Sequence, residues 1–164
     1  MDDSNIEDLL DEATDLFEQS GTRFEEGLDV NNPVLLQLRK ACRMIDAAQF
    51  LQTEDGYYTV IVEASFAAIE RTIQFYLLDT DLLHEDEYVN HEHVYELGKD
   101  AGLYNQEFAG KLTNLWRNNR SDTYYREGIA TQRRAEKMLE LAEAIHSHIL
   151  QLAGESHECI CNTA

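Results

Sequence analysis

Positive charge is scarce in this chain. Its 164 residues carry 13 Lys and Arg against 32 Asp and Glu, for a formal net charge of −19. Residues 1 to 32 alone hold eleven acidic residues and one basic residue, Arg23. A polyanion of this kind disfavours nucleic acid as a partner at low ionic strength. The exclusion weakens in salt, because the Debye length falls to about 3 Å at 1 M. Few lysines and carboxylates spread over most of the exposed helix faces resemble proteins of halophilic organisms, whose acidic surfaces hold water. With 43% hydrophobic residues the chain still has the means to build a core, so a disordered acidic chain is excluded.

Other shortages narrow the classes further. No run of 18 or more apolar residues occurs, which excludes a transmembrane helix, and the acidic N-terminus has neither basic flank nor apolar signal region. The expectation is a soluble, cytoplasmic protein without membrane contact. Three cysteines are an odd number and give no disulfide framework. Cys42 falls on the apolar face of a helix and is expected to be a small core residue. His157, Cys159 and Cys161 offer three metal-ligand types, but no fourth is evident and the tail is loosely patterned. The expectation is therefore a frayed tail, no metal and no cofactor. Pro33, the single proline, follows Asn31 and Asn32 and suits the first turn of a helix.

What is present is helical periodicity. Ile6, Leu9, Leu10, Ala13, Leu16 and Phe17 form a narrow stripe on an acidic helix over roughly 5 to 19, with a linker over 20 to 32. Packing of this helix on the bundle, on a symmetry mate or on a partner stays open. A second helix, about 33 to 51, aligns Leu35, Leu38, Cys42, Ile45 and Ala48. Residues 57 to 78, YYTVIVEASFAAIERTIQFYLL, are rich in β-branched and aromatic residues that favour a strand, but their length favours a buried central helix. Within it Glu63 and Glu70 stand seven apart and share a face. Carboxylates on so apolar a helix demand cationic or hydrogen-bonding partners.

A helix near 90 to 101 places Val94, Leu97 and Ala101 inward, and residues 105 to 118 do the same with Phe108, Leu112, Leu115 and Trp116. His91 and His93, two apart, do not share a helix face and are not expected to bind a metal together. The last helix aligns Ala135, Met138, Leu139, Ala142, Ile145, Ile149 and Leu152, with His146 and His148 expected on its surface or on a partner-facing side. The fold class is thus all-α: an up-and-down four-helix bundle over 33 to 152, an additional acidic N-terminal helix with its linker over 1 to 32, a short extra helix, and a tail over 153 to 164.

Between two of these helices lies the densest group of polar side chains, Arg117-Asn118-Asn119-Arg120-Ser121-Asp122-Thr123-Tyr124-Tyr125. Arg117, Asn118, Asp122 and Tyr124 are spaced to face one groove. An arginine offers a planar fork of donors to a phosphate, and an asparagine or a phenol orients a phosphate oxygen or hydroxyl. The carboxylate can serve as a base or as a clamp for arginine. Arg120 and Tyr125 offer a second register.

Over roughly residues 33 to 152 the order of elements resembles the HEPN (higher eukaryotes and prokaryotes nucleotide-binding) domains. The resemblance rests on the 57 to 78 helix, the HEHVYEL helix, and the terminal helix after TYYREGIATQRRAEKMLELAEAIHSHI. Its sharpest part is RNNRSDTY. The family pattern runs Arg, often Asn, three or four residues, His, one residue, Tyr. Arg117, Asn118 and Tyr124 match, and Asp122 takes the histidine position.

The resemblance implies a four-helix bundle that dimerises, with two copies of the motif meeting in a cleft, and metal-independent cleavage of RNA in active members. It also implies a minimal nucleotidyltransferase as partner, or a place in a toxin and antitoxin pair. An aspartate, with a reference pKa of about 3.9, is a fixed anion that repels a phosphodiester, whereas histidine exchanges protons near neutrality.

Three readings remain open. One is a nucleotide- or RNA-binding site with reduced or absent nuclease activity, using Arg117, Arg120 and Tyr125. Another is an active endoribonuclease with Arg117, Asn118, Asp122 and Tyr124 as its catalytic group. The third is an ion-pair network of Arg117, Arg120 and Asp122 with Glu63 or Glu70 that caps the bundle end. A homodimer is expected because Tyr57, Tyr58, Tyr76, Tyr88, Tyr95, Tyr104 and Trp116 exceed what a small core easily absorbs.

Overall fold

Apolar residues recurring every three or four positions drive all but the first helix to bury one face, and side-chain caps set where four of the helices begin. The computed structural model describes residues 4–19, 25, 27–28, 30–87, 89–124, 128–154 and 159–161, with the backbone alone at 4 and 122–124. Among these residues the chain is all-helical: α1 Ser4–Glu18, α2 Pro33–Gln52, α3 Tyr58–Asp79, α4 His91–Asp100, α5 Gln106–Asn118, a π-helical segment Asn119–Tyr124, and α6 Gln132–Ala153. The helices from α2 onward pack as a bundle.

Asparagine starts three of the helices. The side-chain oxygens of Asn32, Asn90 and Asn105 accept from the backbone N–H of Leu35, His93 and Phe108 at 3.1, 2.8 and 2.9 Å. Thr131 does the same for Arg134 at 3.3 Å. Each cap satisfies a donor that the first helical turn leaves unpaired, worth about 1 kcal/mol.

The strand-like composition of residues 57 to 78 resolves as helix, because α3 is the central element. It packs mainly against α2 and α6, and also against α4. Ile61, Val62, Phe66, Ala68, Ile69, Ile73, Phe75 and Leu77 are all buried along it. Burying side chains of the size of Ile69 and Phe75 contributes about 1.5–3 kcal/mol each. From α2 come Leu38, Cys42, Ile45 and Ala48, and from α6 come Ala135, Met138, Leu139, Ala142, Ile145 and Ile149.

Several expectations need correction. Leu115 and Leu152 are exposed by 39% and 49% rather than packed inward. His146 is not a surface residue; it is 1% exposed, turned inward between Ile145 and Ile149, while His148 is exposed as expected. The aromatic surplus is mostly absorbed: Tyr95 is fully buried, and Tyr58, Tyr76, Tyr104 and Trp116 pack partly buried against the core. Tyr88 lies outside the described residues. In α1 the whole apolar stripe is exposed, with Phe17 at 93%.

Gly98 marks the tightest approach between α4 and the loop that follows it. A Cβ there would overlap the Tyr104 phenol and meet Ile73 Cγ2 at 3.2 Å. The same phenol donates to the Tyr95 carbonyl at 2.9 Å, so it cannot simply swing away. Gly98→Ala is expected to lower stability by about 1–3 kcal/mol. Gly110→Ala, in the α5 interior with open space around it, should raise stability by about 0.4–1 kcal/mol. Urea denaturation midpoints of the two variants check both signs.

Candidate functional site

The central helix carries two carboxylates on one face, and each has found the partners its burial demands. Glu70 is 7% exposed. Its Oε1 accepts from the Tyr95 hydroxyl at 2.9 Å, and its Oε2 lies 2.5 Å from His91 Nδ1. Burial, reinforced by the neighbouring Glu70 charge, pushes the Tyr95 phenol far above the usual tyrosine range, so it stays a donor. One turn pair away, Glu63 accepts from Asn119 Nδ2 at 2.7 Å and pairs with Arg120 Nη2 at 3.3 Å.

These contacts link α3 to two other elements. Asn90 caps α4 and holds His91 as its first residue, against Glu70. Asn119 and Arg120 open the π-helical segment that continues α5, where the Ser121 hydroxyl donates to the Asn118 carbonyl at 3.3 Å. Trp116 sits between the two partners, stacked on His91 with ring centroids 5.8 Å apart and with the Arg120 guanidinium 5.5 Å from its ring centroid. A histidine, a tryptophan and an arginine thus form one braced row.

Arg117 and Asn118 diverge, as neighbours on a helix must. Arg117 turns toward α4, where its Nε and Nη2 donate to Glu92 Oε1 and Oε2 at 2.9 and 3.0 Å, a bidentate pair open to solvent. Asn118 lines a groove between α3, α5 and α6 instead. The two are therefore not brought to a single groove. The side chains of Asp122 and Tyr124, and Tyr125 as a whole, lie outside the described residues.

Of the grooves that flank this end of the bundle, two adjoin the Asn119–Arg120 turn. One, of about 550 Å³, has an apolar floor that includes Phe66 and Leu115 and a polar side of Asn118, Asn119, Arg134 and Lys137. Among the described residues no carboxylate lines it. The other, of about 370 Å³, sets Glu63, Glu70, His91 and Arg120 around an apolar strip with Met44 and Val60. The sequence reading missed His91, Glu92, Arg134 and Lys137. The signal available for His91 was the carboxylate pair on α3, which required partners from elsewhere. No local pattern announces Arg134 and Lys137.

Among the described residues one group could hold a metal, Cys42, His146, Cys159 and Cys161, which joins the two tail cysteines noted in the sequence to Cys42 and to a histidine of α6. His157, a ligand type the sequence also offers beside these cysteines, lies outside the described residues.

The Arg117 guanidinium beside Glu92 holds that carboxyl below the usual carboxylate range. Because the folded value is depressed, the pair stabilises the fold above the ordinary glutamate pKa. That contribution is lost as pH falls through the lowered folded value. In a carboxyl NMR titration, Arg117→Ala is expected to return the Glu92 midpoint upward, toward about 4.3.

No curated protein and no solved structure matches the chain. A family match does span nearly all of it, residues 1–161, and the chain belongs to that family, described as Domain of unknown function (DUF8154).

Proposed function

We propose that this protein is a HEPN-like nucleotide- or RNA-binding protein with reduced or absent nuclease activity, acting in a toxin and antitoxin pair or beside a minimal nucleotidyltransferase in the cytoplasm. The observation that carries the reading is the 550 Å³ groove. In a chain of net charge −19, it joins an apolar floor to Arg134, Lys137, Asn118 and Asn119, with no carboxylate among the described lining residues. A base fits the apolar part, and its phosphates fit Arg134, the amides and Lys137, whose solvent-exposed pairing with Glu140 a phosphate would displace. The match of Arg117, Asn118 and Tyr124 to the family pattern supports the same class.

A second reading, the active endoribonuclease, gains from His91. Its Nδ1 is held by Glu70, and the ring shares the smaller groove with Arg120. An imidazole oriented by a carboxylate is a general acid and base of the kind that Asp122 cannot be. The ion pairs Arg117–Glu92 and Arg120–Glu63 are what a purely structural cap of the bundle would also show.

Fluorescence anisotropy with labelled single-stranded RNA and with a nucleotide, in matched salt, separates these cases. Binding weakened about 10-fold or more by the joint Arg134→Ala and Lys137→Ala change is expected, as for loss of charge-assisted hydrogen bonds. Cleavage abolished by His91→Ala would establish the nuclease. Neither binding nor cleavage would leave the structural cap.

A homodimer belongs to the proposal. Its support is the apolar exposure of Phe50, Tyr57 and Val60, each at least half exposed on α2, α3 and the turn between them. Light scattering at working salt is expected to give twice the chain mass, and a monomer mass would remove this part.

A further inference from the structure

We propose that Cys42, His146, Cys159 and Cys161 bind one zinc ion, and that this ion fastens the C-terminal segment to the bundle. The four come from three separate places. Cys42 is on α2, His146 on α6, and the two remaining cysteines lie in the segment after α6. Their ligand atoms all lie within 4.8 Å of one another. Cys42 Sγ is 3.4 Å from Cys159 Sγ and 3.8 Å from His146 Nε2. The same Nε2 is 3.3 Å from both Cys159 Sγ and Cys161 Sγ. In a tetrahedral site with Zn–S near 2.3 Å and Zn–N near 2.0 Å, ligand atoms stand about 3.5–3.8 Å apart. Four of the six pairs already stand at about that spacing, and none exceeds 4.8 Å.

The imidazole is oriented as a ligand. Thr72 Oγ1 gives its single proton to the Ala68 carbonyl at 2.8 Å, so at 2.9 Å from His146 Nδ1 it acts as acceptor. Nδ1 therefore carries the ring proton, and Nε2 turns its lone pair toward the three sulfurs. An acceptor on the far ring nitrogen fixes the tautomer of a metal-binding histidine; carboxylates, carbonyls and waters commonly serve, and here the Thr72 hydroxyl takes that place. Both Thr72 and His146 are buried, and a core histidine of an apolar bundle needs a reason to face three thiols.

Ligand chemistry selects the ion. Three thiolates and one imidazole in a closed, four-membered set are the donors of structural zinc. On binding, three thiols release three protons to solvent and the divalent ion becomes part of a centre of net charge −1. No electron is transferred. A disulfide between Cys42 and Cys159 is the competing fate of two of these sulfurs, but it would give the histidine and Cys161 no role.

The mechanical effect is local to the tail. Residues 159–161 pack partly buried against the core, and Ile160 lies so close to Gly27 that a Cβ there would meet Ile160 Cδ1 at 2.8 Å. Arg39 in turn donates to the Gly27 carbonyl at 2.9 Å. An ion held by Cys159 and Cys161 thereby also secures the chain ahead of α2.

Full-length protein, purified under reducing conditions and loaded with zinc, is expected to retain one equivalent per chain by elemental analysis. Cobalt in its place should give the intense visible ligand-field and thiolate charge-transfer bands of a tetrahedral thiolate site. Cys42 lies in the core, so the tail variants Cys159→Ser and Cys161→Ser carry the test. Each should lose the cobalt charge-transfer intensity and the retained zinc. A chelator should lower the melting temperature of the parent protein and leave that of the tail variants unchanged. Thr72→Val is expected to weaken zinc binding about 10-fold while leaving the stoichiometry intact. A reduced parent protein that retains no zinc, tail variants that keep the full equivalent, or a pale octahedral cobalt spectrum would each overturn the proposal.

Discussion

Placing carboxylates on the most apolar helix of the bundle creates an obligation that shapes everything at one end of the molecule. A buried carboxyl without partners costs several kcal/mol, so Glu70 must be met by donors from other elements, while half-buried Glu63 gains from them at lower stakes. Glu70 receives Tyr95 and His91 from α4, and Glu63 receives Asn119 and Arg120 from the π-helical segment. The short helix α4 and the departure from α-helical geometry after Asn118 are both positioned by these contacts. Trp116, lying between His91 and Arg120, holds the two sets in one row.

That arrangement sorts the charges of an acidic protein. Carboxylates at this end take up Arg117, Arg120 and His91, while Arg134 and Lys137 of α6 line the larger groove, where no carboxylate is among the described lining residues although Lys137 pairs with Glu140 outside it. The contrast matters more than the net charge. Far from the groove the charge is screened within a Debye length, and close to it a ligand meets mainly the cations and the apolar floor. This is the physical basis on which an acidic chain can still take an anionic ligand. The resemblance in RNNRSDTY points to the same class of ligand, although Arg117 itself is turned to Glu92.

At the Cys42 and His146 cluster the bundle does something different. Instead of closing the gap between α2, α3 and α6 with hydrocarbon, it brings three thiols and an imidazole to one point, with Thr72 fixing the ring. A segment of low regular structure is thus tied to the core by side chains far apart in sequence, which is how short tails acquire fixed positions without burying much apolar area.

Apolar spacing and end signals determined most of the fold from the sequence alone. The helix-forming stretches from α2 to α6 follow their three- and four-residue periodicity, and Asn32 with Pro33 marks the start of α2. Glu63 and Glu70 even announced that partners were required, because spacing and local hydrophobicity are one-dimensional properties. Which partners answered was decided by tertiary structure. His91 lies 21 residues from Glu70, and His146 lies 104 residues from Cys42. Local pattern placed His146 on the surface because two polar histidines in an amphipathic helix read as its wet side. Only the facing positions of α2, α3 and the tail turn that histidine inward, since what a side chain meets across a core depends on packing between helices and not on its neighbours in the chain.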